Sequence, residues 1–131
     1  MYRYLLKPIL FFFPPERAHH LTLLLLKISL SVPLIGSLLR KVYGQKQDPV
    51  NLAGLNFPNR VGLAAGFDKD AAHMHLMSQI GFGFLEIGTV TPLPQDGNPK
   101  PRLFRVPKDA GLINRMGFNN DGLEAMVQRL N

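Results

Sequence analysis

The first third of the chain has the apolar pattern of short helices separated by prolines. Apolar residues recur at helical spacing near its start: Tyr2, Leu5, Leu6, Ile9, Leu10 and Phe13. Pro15 suits the first turn of a second helix, and Ser31 followed two residues later by Pro33 suits the start of a third. We therefore expect three helices within residues 1–47.

The second predicted helix has two faces of different chemistry. Residues at i, i+4, i+7 and i+11 share one face of a helix, and here they are His19, Leu23, Leu26 and Leu30. A narrow polar face carries Glu16, His20 and Lys27. His19 therefore stands at the head of a stripe of leucines.

The pattern changes after residue 47. The stretch "QKQDPVNLAGLNFPN" groups Pro and Gly around a short pair of predicted strands, which is typical of a boundary. The apolar runs "RVGLA" and "GFLEIGTV" suit strands buried on both faces, and the helix-like "AAHMHLMSQI" lies between them. Strand, helix and strand over so short a span predict a βαβ unit with parallel strands.

The remaining residues are predicted as a long proline-rich loop and a last helix. The loop is "TPLPQDGNPKPRLFRVPKD", and "AGLINRMGFNN" follows it. The helix "DGLEAMVQRLN" would be capped by Asn120 or Asp121. The chain is thus predicted to be α/β, with a helical domain at 1–47 and an α/β domain at 48–131.

The formal net charge of +6 lies entirely in the helical segment. Residues 1–47 hold seven basic residues and one acidic residue, Glu16, whereas charges cancel over the rest. Because these cations alternate with leucine and phenylalanine at helix spacing, nucleic-acid binding is not expected. Lys27 and Pro33 interrupt the longest apolar run, and no small-residue cleavage site follows "ILFFF", so neither a membrane span nor a cleaved signal is predicted.

Two interpretations of this segment remain. Its apolar faces could enter the acyl boundary of a membrane while lysines and arginines meet anionic headgroups. Alternatively, the leucines could be core that packs against the next domain. We favour the membrane interpretation, because the apolar content exceeds what a three-helix cap can hide.

Candidate ligand-binding residues follow the predicted parallel strands. Ala64, Ala65 and Gly66 end the first strand, and small side chains let a flat ligand approach the backbone. Lys69 supplies a cation, and Thr89 ends the second strand with a hydroxyl. The segment "NRMGFNN" brings amides, an arginine and an aromatic residue into one loop, which suits a planar ring substrate that carries a carboxylate or amides. Alternatively, Gly66 only allows a turn, Lys69 forms a solvated ion pair with Asp68 or Asp70, and "NRMGFNN" is the entry to a helix.

No metal site is predicted. The chain has no cysteine, which excludes a disulfide scaffold, a thiolate metal site and a cysteine nucleophile. Its four histidines lack the spacing of zinc ligands.

Three blocks behind the "PPERAHHL" helix carry a resemblance to a known family: "GLAAGFDKD", "GFGFLEIGTVTPLPQDGNPKPRLFR" and "INRMGFNN". In this order they resemble the quinone-dependent, membrane-associated (class 2) dihydroorotate dehydrogenases, over essentially the whole chain. The resemblance implies an FMN-binding (β/α)₈ TIM barrel, preceded by a helical cap that admits quinone from the membrane. It also implies oxidation of dihydroorotate to orotate in pyrimidine biosynthesis. The protein would be peripheral to an anionic membrane surface, on the cytoplasmic face of a bacterial inner membrane.

The resemblance also assigns roles to residues by motif. The FMN contacts would be Ala65, Gly66, Phe67, Asp68, Lys69 and Thr89. The substrate contacts would be Lys69, Asn114, Arg115, Met116, Gly117 and Phe118. His19 and Arg105 would face the quinone head group. Lys69 would stabilise negative charge on the flavin ring, and the two aspartates beside it would hold that lysine.

The family's catalytic base is a serine in the later part of the barrel. No counterpart is matched up to Asn131, and a barrel needs about 250 residues. We therefore expect a fragment that is inactive by itself. The rival function is a non-catalytic protein whose basic helices bind a membrane surface.

Overall fold

The computed structural model of the protein describes residues 2–44 and 48–131. The predicted boundary at residues 45–47 lies outside the described residues. A π-helical turn, Tyr2–Leu6, leads into α1, Lys7–Phe12. Helices α2, Pro15–Ser31, and α3, Pro33–Tyr43, follow. The prediction of three helical segments punctuated by prolines is confirmed.

The α-helices of this region begin at prolines for a simple reason. Each has a proline in its first two positions, where a backbone N–H would have no partner within the helix. Helices α2 and α3 meet at an angle of 108°. Within the described residues no single helix is both long and apolar enough to cross a membrane, and only the bent pair meets those two conditions.

A βαβ unit forms where the apolar runs predict it. Strand β3, Gly62–Leu63, pairs in parallel with β4, Phe84–Leu85, and α4, Met74–Ser78, connects them. The strands are less buried than predicted, since Gly62 and Leu63 are only half-buried and Phe84 is exposed. The reason is that this sheet has two strands in the described residues, so neither face is covered along its full width.

Two antiparallel pairs flank this unit. They are β1, Val50–Leu52, with β2, Leu55–Phe57, and β5, Leu103–Val106, with β6, Gly111–Asn114. The first pair is the predicted one. The second lies partly in the stretch predicted as loop, and that prediction is wrong, because residues 103–106 form a hairpin with 111–114 and become a strand through this pairing.

The last helix, α5, covers Leu123–Leu130 as predicted, but its cap is different. Gly122 occupies the N-cap position, and no side chain caps the helix. Asp121 instead pairs with Arg129 at 2.5 Å, and Asn120 is bonded to Thr91. The predicted capping role of Asn120 or Asp121 is therefore wrong, because both side chains have other partners.

The core joins the helical region to the βαβ unit. Leu23 and Leu30 of α2 pack with Leu76 and Met77 of α4, and all four are buried. Half-buried apolar residues surround them: Leu26, Leu39, Leu63, Ile80, Phe82 and Leu85. The leucine stripe of α2 is thus core, as in the alternative interpretation. Other apolar side chains of the helices stay exposed, among them Leu24, Leu25, Ile28, Leu34, Leu38 and Val42.

Candidate functional site

A cleft of about 560 Å³ lies between α2, the loop after β3 and the β5–β6 pair. Seven of the predicted site residues line it: His19, Gly66, Phe67, Asp68, Lys69, Asn114 and Met116. Ala65, Thr89, Arg105, Arg115, Gly117 and Phe118 are not among its lining residues. The fold therefore brings residues from three separate sequence blocks to one concave surface.

The floor of the cleft begins where the parallel strands end. The Gly66 N–H donates to the Gly88 carbonyl at 2.9 Å, which ties the two strand ends together. Gly66 has φ +96°, and outside Gly66 and its two chain neighbours no described atom lies within 4 Å of the position that a Cβ would occupy there. Ala64 and Ala65 are exposed. The backbone at this strand end is therefore open to a flat ligand, and a side chain at Gly66 would be strained.

The Asp68 side chain holds the local backbone in place. Its buried carboxylate accepts the backbone N–H groups of Ala72 at 3.0 Å and His73 at 2.8 Å, and so fixes the turn that leads into α4. Asp70 accepts the N–H of Asp121 at 2.7 Å. Within the described residues neither carboxylate forms an ion pair with Lys69. The prediction that two aspartates hold this lysine is wrong, because backbone N–H groups occupy both.

Lys69 is held by the loop after β6 instead. Its Nζ donates to Asn119 Oδ1 at 2.7 Å and to the Gly117 carbonyl at 3.1 Å. Burial lowers the pKa of Lys69, the Arg102 cation lowers that pKa further, and the Asp70 charge partly offsets both. The ammonium is therefore fixed by neutral oxygen atoms.

Only part of the "NRMGFNN" segment lines the cleft. Asn114 Oδ1 accepts the Met116 N–H at 2.9 Å, which shapes the turn after β6, and Asn114 lines the cleft. The Arg115 guanidinium lies 5.7 Å from the Phe104 ring, away from the cleft. Phe118 is exposed.

His19 joins the helical region to the loop after β3. Its half-buried ring meets the Phe67 ring edge-on, with centroids 4.8 Å apart and planes at 83°. Burial lowers the pKa of His19, and the neighbouring His20 and His73 lower it further. The imidazole at this wall of the cleft is therefore neutral at pH 7.

Arg105 binds the end of α1. Its Nη1 donates to the carbonyls of Phe13 at 2.6 Å and Phe11 at 3.2 Å, and its Nη2 donates to Leu10 at 3.2 Å. The guanidinium also lies 4.3 Å from the Phe11 ring centroid. Carbonyls at a helix C-terminus lack partners within the helix, so this arginine satisfies them and complements the helix dipole.

Sequence reasoning missed an ion cluster on the cleft wall. Arg102 is buried and binds Glu16 through Nη2 at 2.7 Å, while Lys100 Nζ lies 3.4 Å from the same carboxylate. The bond from Arg102 lowers the pKa of Glu16 against the opposing effect of burial. One signal was available, since Glu16 is the sole acid in the basic segment of residues 1–47. In the described residues no three His, Asp or Glu side chains cluster as a metal site would require.

The sequence profile and the relatives that match this chain belong to the same family. The sequence profile described as "Dihydroorotate dehydrogenase" matches residues 49–131. A curated protein of Polynucleobacter asymbioticus, "Dihydroorotate dehydrogenase (quinone)", is 56% identical over 126 residues, which cover 96% of this chain and 36% of the relative. A protein of the same name from Marinobacter nauticus is 51% identical over 94% of this chain and 35% of the relative.

Solved structures agree with the sequence comparison. A crystal structure of DHODH in complex with ferulenol, from Eimeria tenella, has a TM-score of 0.69 and 44% identity to this chain. The match covers 88% of this chain and 29% of that one. The chain therefore spans about a third of the length of the curated relatives that it matches.

Proposed function

The chain belongs to the dihydroorotate dehydrogenase family, and from that premise we propose that it is part of a quinone-dependent enzyme that oxidises dihydroorotate to orotate in pyrimidine biosynthesis. The observation that supports this most directly is the cleft. It brings Lys69, Asn114 and Met116 into one concave surface with His19 of the helical region, beside Gly66 near the carboxyl end of the parallel strand β3. That end is where ligands bind in parallel α/β folds.

The cofactor we propose is FMN, and the residues present fit it. The exposed backbone of 64–66 and the open space beside Gly66 suit the approach of a planar ring. The proposed contacts are Ala65, Gly66, Phe67, Asp68, Lys69 and Thr89, of which Asp68 would act by shaping the loop. When bound, FMN supplies the acceptor for the hydride that leaves dihydroorotate.

The protein's own groups would then orient the substrate and stabilise charge. Lys69 presents a fixed cation where negative charge develops on hydride transfer. The Asn114 amide offers N–H donors that suit a carboxylate or ring carbonyl of the substrate. The other proposed substrate contacts are Arg115, Met116, Gly117 and Phe118; of these Met116 lines the cleft, and the Gly117 carbonyl acts through Lys69.

The quinone would enter from the helical side. We propose that residues 1–47 form a membrane-associated cap and that residues 48–131 begin a (β/α)₈ barrel. The exposed leucines of α2 and α3 and the excess of basic residues there suit the surface of an anionic membrane, on the cytoplasmic face of a bacterial inner membrane. His19 contributes a neutral imidazole, and Arg105 contributes a guanidinium whose Nη1 and Nη2 already bind α1.

A chimera tests the proposed function. This chain would replace the matching segment of the Polynucleobacter asymbioticus relative, and bound flavin and dihydroorotate-dependent quinone reduction would be measured. We expect stoichiometric flavin and activity. In stopped-flow absorbance, Lys69→Ala should slow flavin reduction by dihydroorotate about 10²- to 10³-fold, and Arg105→Ala should mainly slow reoxidation by quinone. A folded chimera that holds flavin but turns over no dihydroorotate would overturn the proposal.

A further inference from the structure

Lys69 is attached to the cleft mainly through one neutral side chain. Its bond to Asn119 Oδ1 measures 2.7 Å, against 3.1 Å for its bond to the Gly117 carbonyl. An ammonium has three N–H donors and accepts no hydrogen bond, so the amide oxygen of Asn119 must be the acceptor. Two donors are therefore used within the described residues, and one is left for a ligand in the cleft.

We propose that Asn119 is the positioning residue of Lys69, holding its ammonium in place and stabilising its protonated form. Only the task assigned to Lys69 rests on the proposed function, because the contact itself joins two residues of this chain. Asn119 also lines the cleft. It would act on the reaction through the lysine.

The loop that carries Asn119 is fixed by the two residues that follow it. The next residue, Asn120, is buried, and its backbone N–H and carbonyl both pair with Gln95 at 2.9 Å. Asn120 Oδ1 also accepts the Thr91 N–H at 3.1 Å. Beyond it, the Asp121 N–H donates to Asp70 Oδ1 at 2.7 Å. Asn119 therefore lies in a turn that hydrogen bonds fix in place, which suits a residue that must position another side chain.

The charges around Lys69 explain why an amide suits this place. Arg102 opposes the ammonium charge and Asp70 supports it. The other charged or titratable groups that face the cleft are Glu16, His19, His20, Asp68, His73, Lys100 and Asp121. Within the described residues no carboxylate lies within ion-pairing distance of Lys69 Nζ. A neutral acceptor fixes the ammonium without cancelling its charge, so the cation remains available to a developing anion.

The test measures the protonation of Lys69 in the 131-residue chain, without flavin. Labelling by an amine-reactive anhydride would be followed across pH by peptide mass spectrometry, since only the neutral amine reacts. The midpoint of the profile reports the pKa, whereas the plateau at high pH reports access. Exposed Lys41 serves as an internal reference. Asn56→Ala serves as the matched control, because Asn56 binds another asparagine, Asn51, in a remote hairpin at 2.8 Å.

Two substitutions should move the midpoint in opposite directions. Asn119→Ala removes an acceptor from the charged form, so it should lower the midpoint and speed labelling below it about threefold to tenfold. Asn119→Asp adds a negative charge, so it should raise the midpoint and slow labelling. Asn56→Ala should leave the midpoint unchanged. The proposal is overturned if both Asn119 variants move it the same way, or if neither does. If the chimera is inactive but the two Asn119 variants shift the midpoint in opposite directions, the result counts against the proposed function and not against the role of Asn119.

Discussion

The helical region, residues 2–44, and the strand-bearing region, residues 48–131, expose different kinds of surface. Within α2 and α3 four residues are buried: Ala18, Leu23, Leu30 and Gly36. Most of the apolar side chains on these helices face outward, although the backbone is satisfied by the helices themselves. In the second region the strands have two to four residues and each sheet has two strands, so within the described part of the chain the strand edges have no further strand beside them. The first region therefore offers side chains to a partner, and the second offers strand edges.

The largest effect should come from the core that both regions share. Leu23→Ala removes a side chain that is 3% exposed and packed against α4, and we expect it to lower the free energy of unfolding by about 2 to 5 kcal/mol. Leu24→Ala, at a residue that is 53% exposed on the same helix, should change it by less than about 0.5 kcal/mol. Urea unfolding followed by circular dichroism measures both. Equal losses would show that the helical region does not depend on the α/β region.

The ion pair between the regions should have the next largest effect. The pKa of Glu16 in the folded state lies below its ordinary value of 4.5. The contribution of Glu16 to the free energy of unfolding is therefore present above about pH 4.5, and it is lost as pH falls through the lower pKa of the folded state. Glu16→Gln should therefore destabilise the chain by about 1 to 2 kcal/mol at pH 7 and much less in acid. Urea midpoints across pH would be compared with those of Glu86→Gln, at an exposed residue. A pH-independent loss in Glu16→Gln would contradict the charge-based explanation.

The smallest of the three effects concerns the outward side chains of α3. Leu34→Ser with Leu38→Ser should weaken binding of the whole chain to vesicles containing phosphatidylglycerol by about tenfold, because both leucines are exposed beside Arg40 and Lys41. The matched control is Leu52→Ser with Leu55→Ser, a similarly exposed pair on the β1–β2 hairpin. Sedimentation with vesicles at low and high salt measures the binding. Equal weakening by both pairs would remove the distinction between the regions.

The helical region was the easier one to predict. Helix starts at Pro15 and Pro33 follow from local chemistry, and the His19–Leu30 stripe follows from periodicity. Periodicity identifies the apolar face of a helix, but it does not identify the residues that pack against that face. The stripe of α2 packs on α4, and the apolar residues of α3 remain outside.

In the strand-bearing region the errors came from pairing that periodicity does not reveal. The prolines around residues 103–106 predict a loop, but these residues form a hairpin strand whose partner begins five residues later, across a 3₁₀ turn at Pro107–Asp109. The site showed the same limit. The sequence placed Lys69 between two carboxylates, but the chain folds those onto backbone N–H groups and supplies Asn119 from 50 residues away. Adjacency in sequence was a poor guide to the partner of a side chain, whereas Gly66, at the end of the first predicted parallel strand, does line the cleft.

The shared core has a consequence for anyone who shortens this protein to improve its handling. Cutting the chain near residue 48 would remove the exposed leucines of the helices, and it would also uncover Leu76 and Met77, which α2 covers. The shortened protein would lose one exposed apolar surface and gain another, and its strand edges would still be able to pair with another chain. A better-behaved variant would keep α2 in place and replace only the outward leucines of α3 with polar residues.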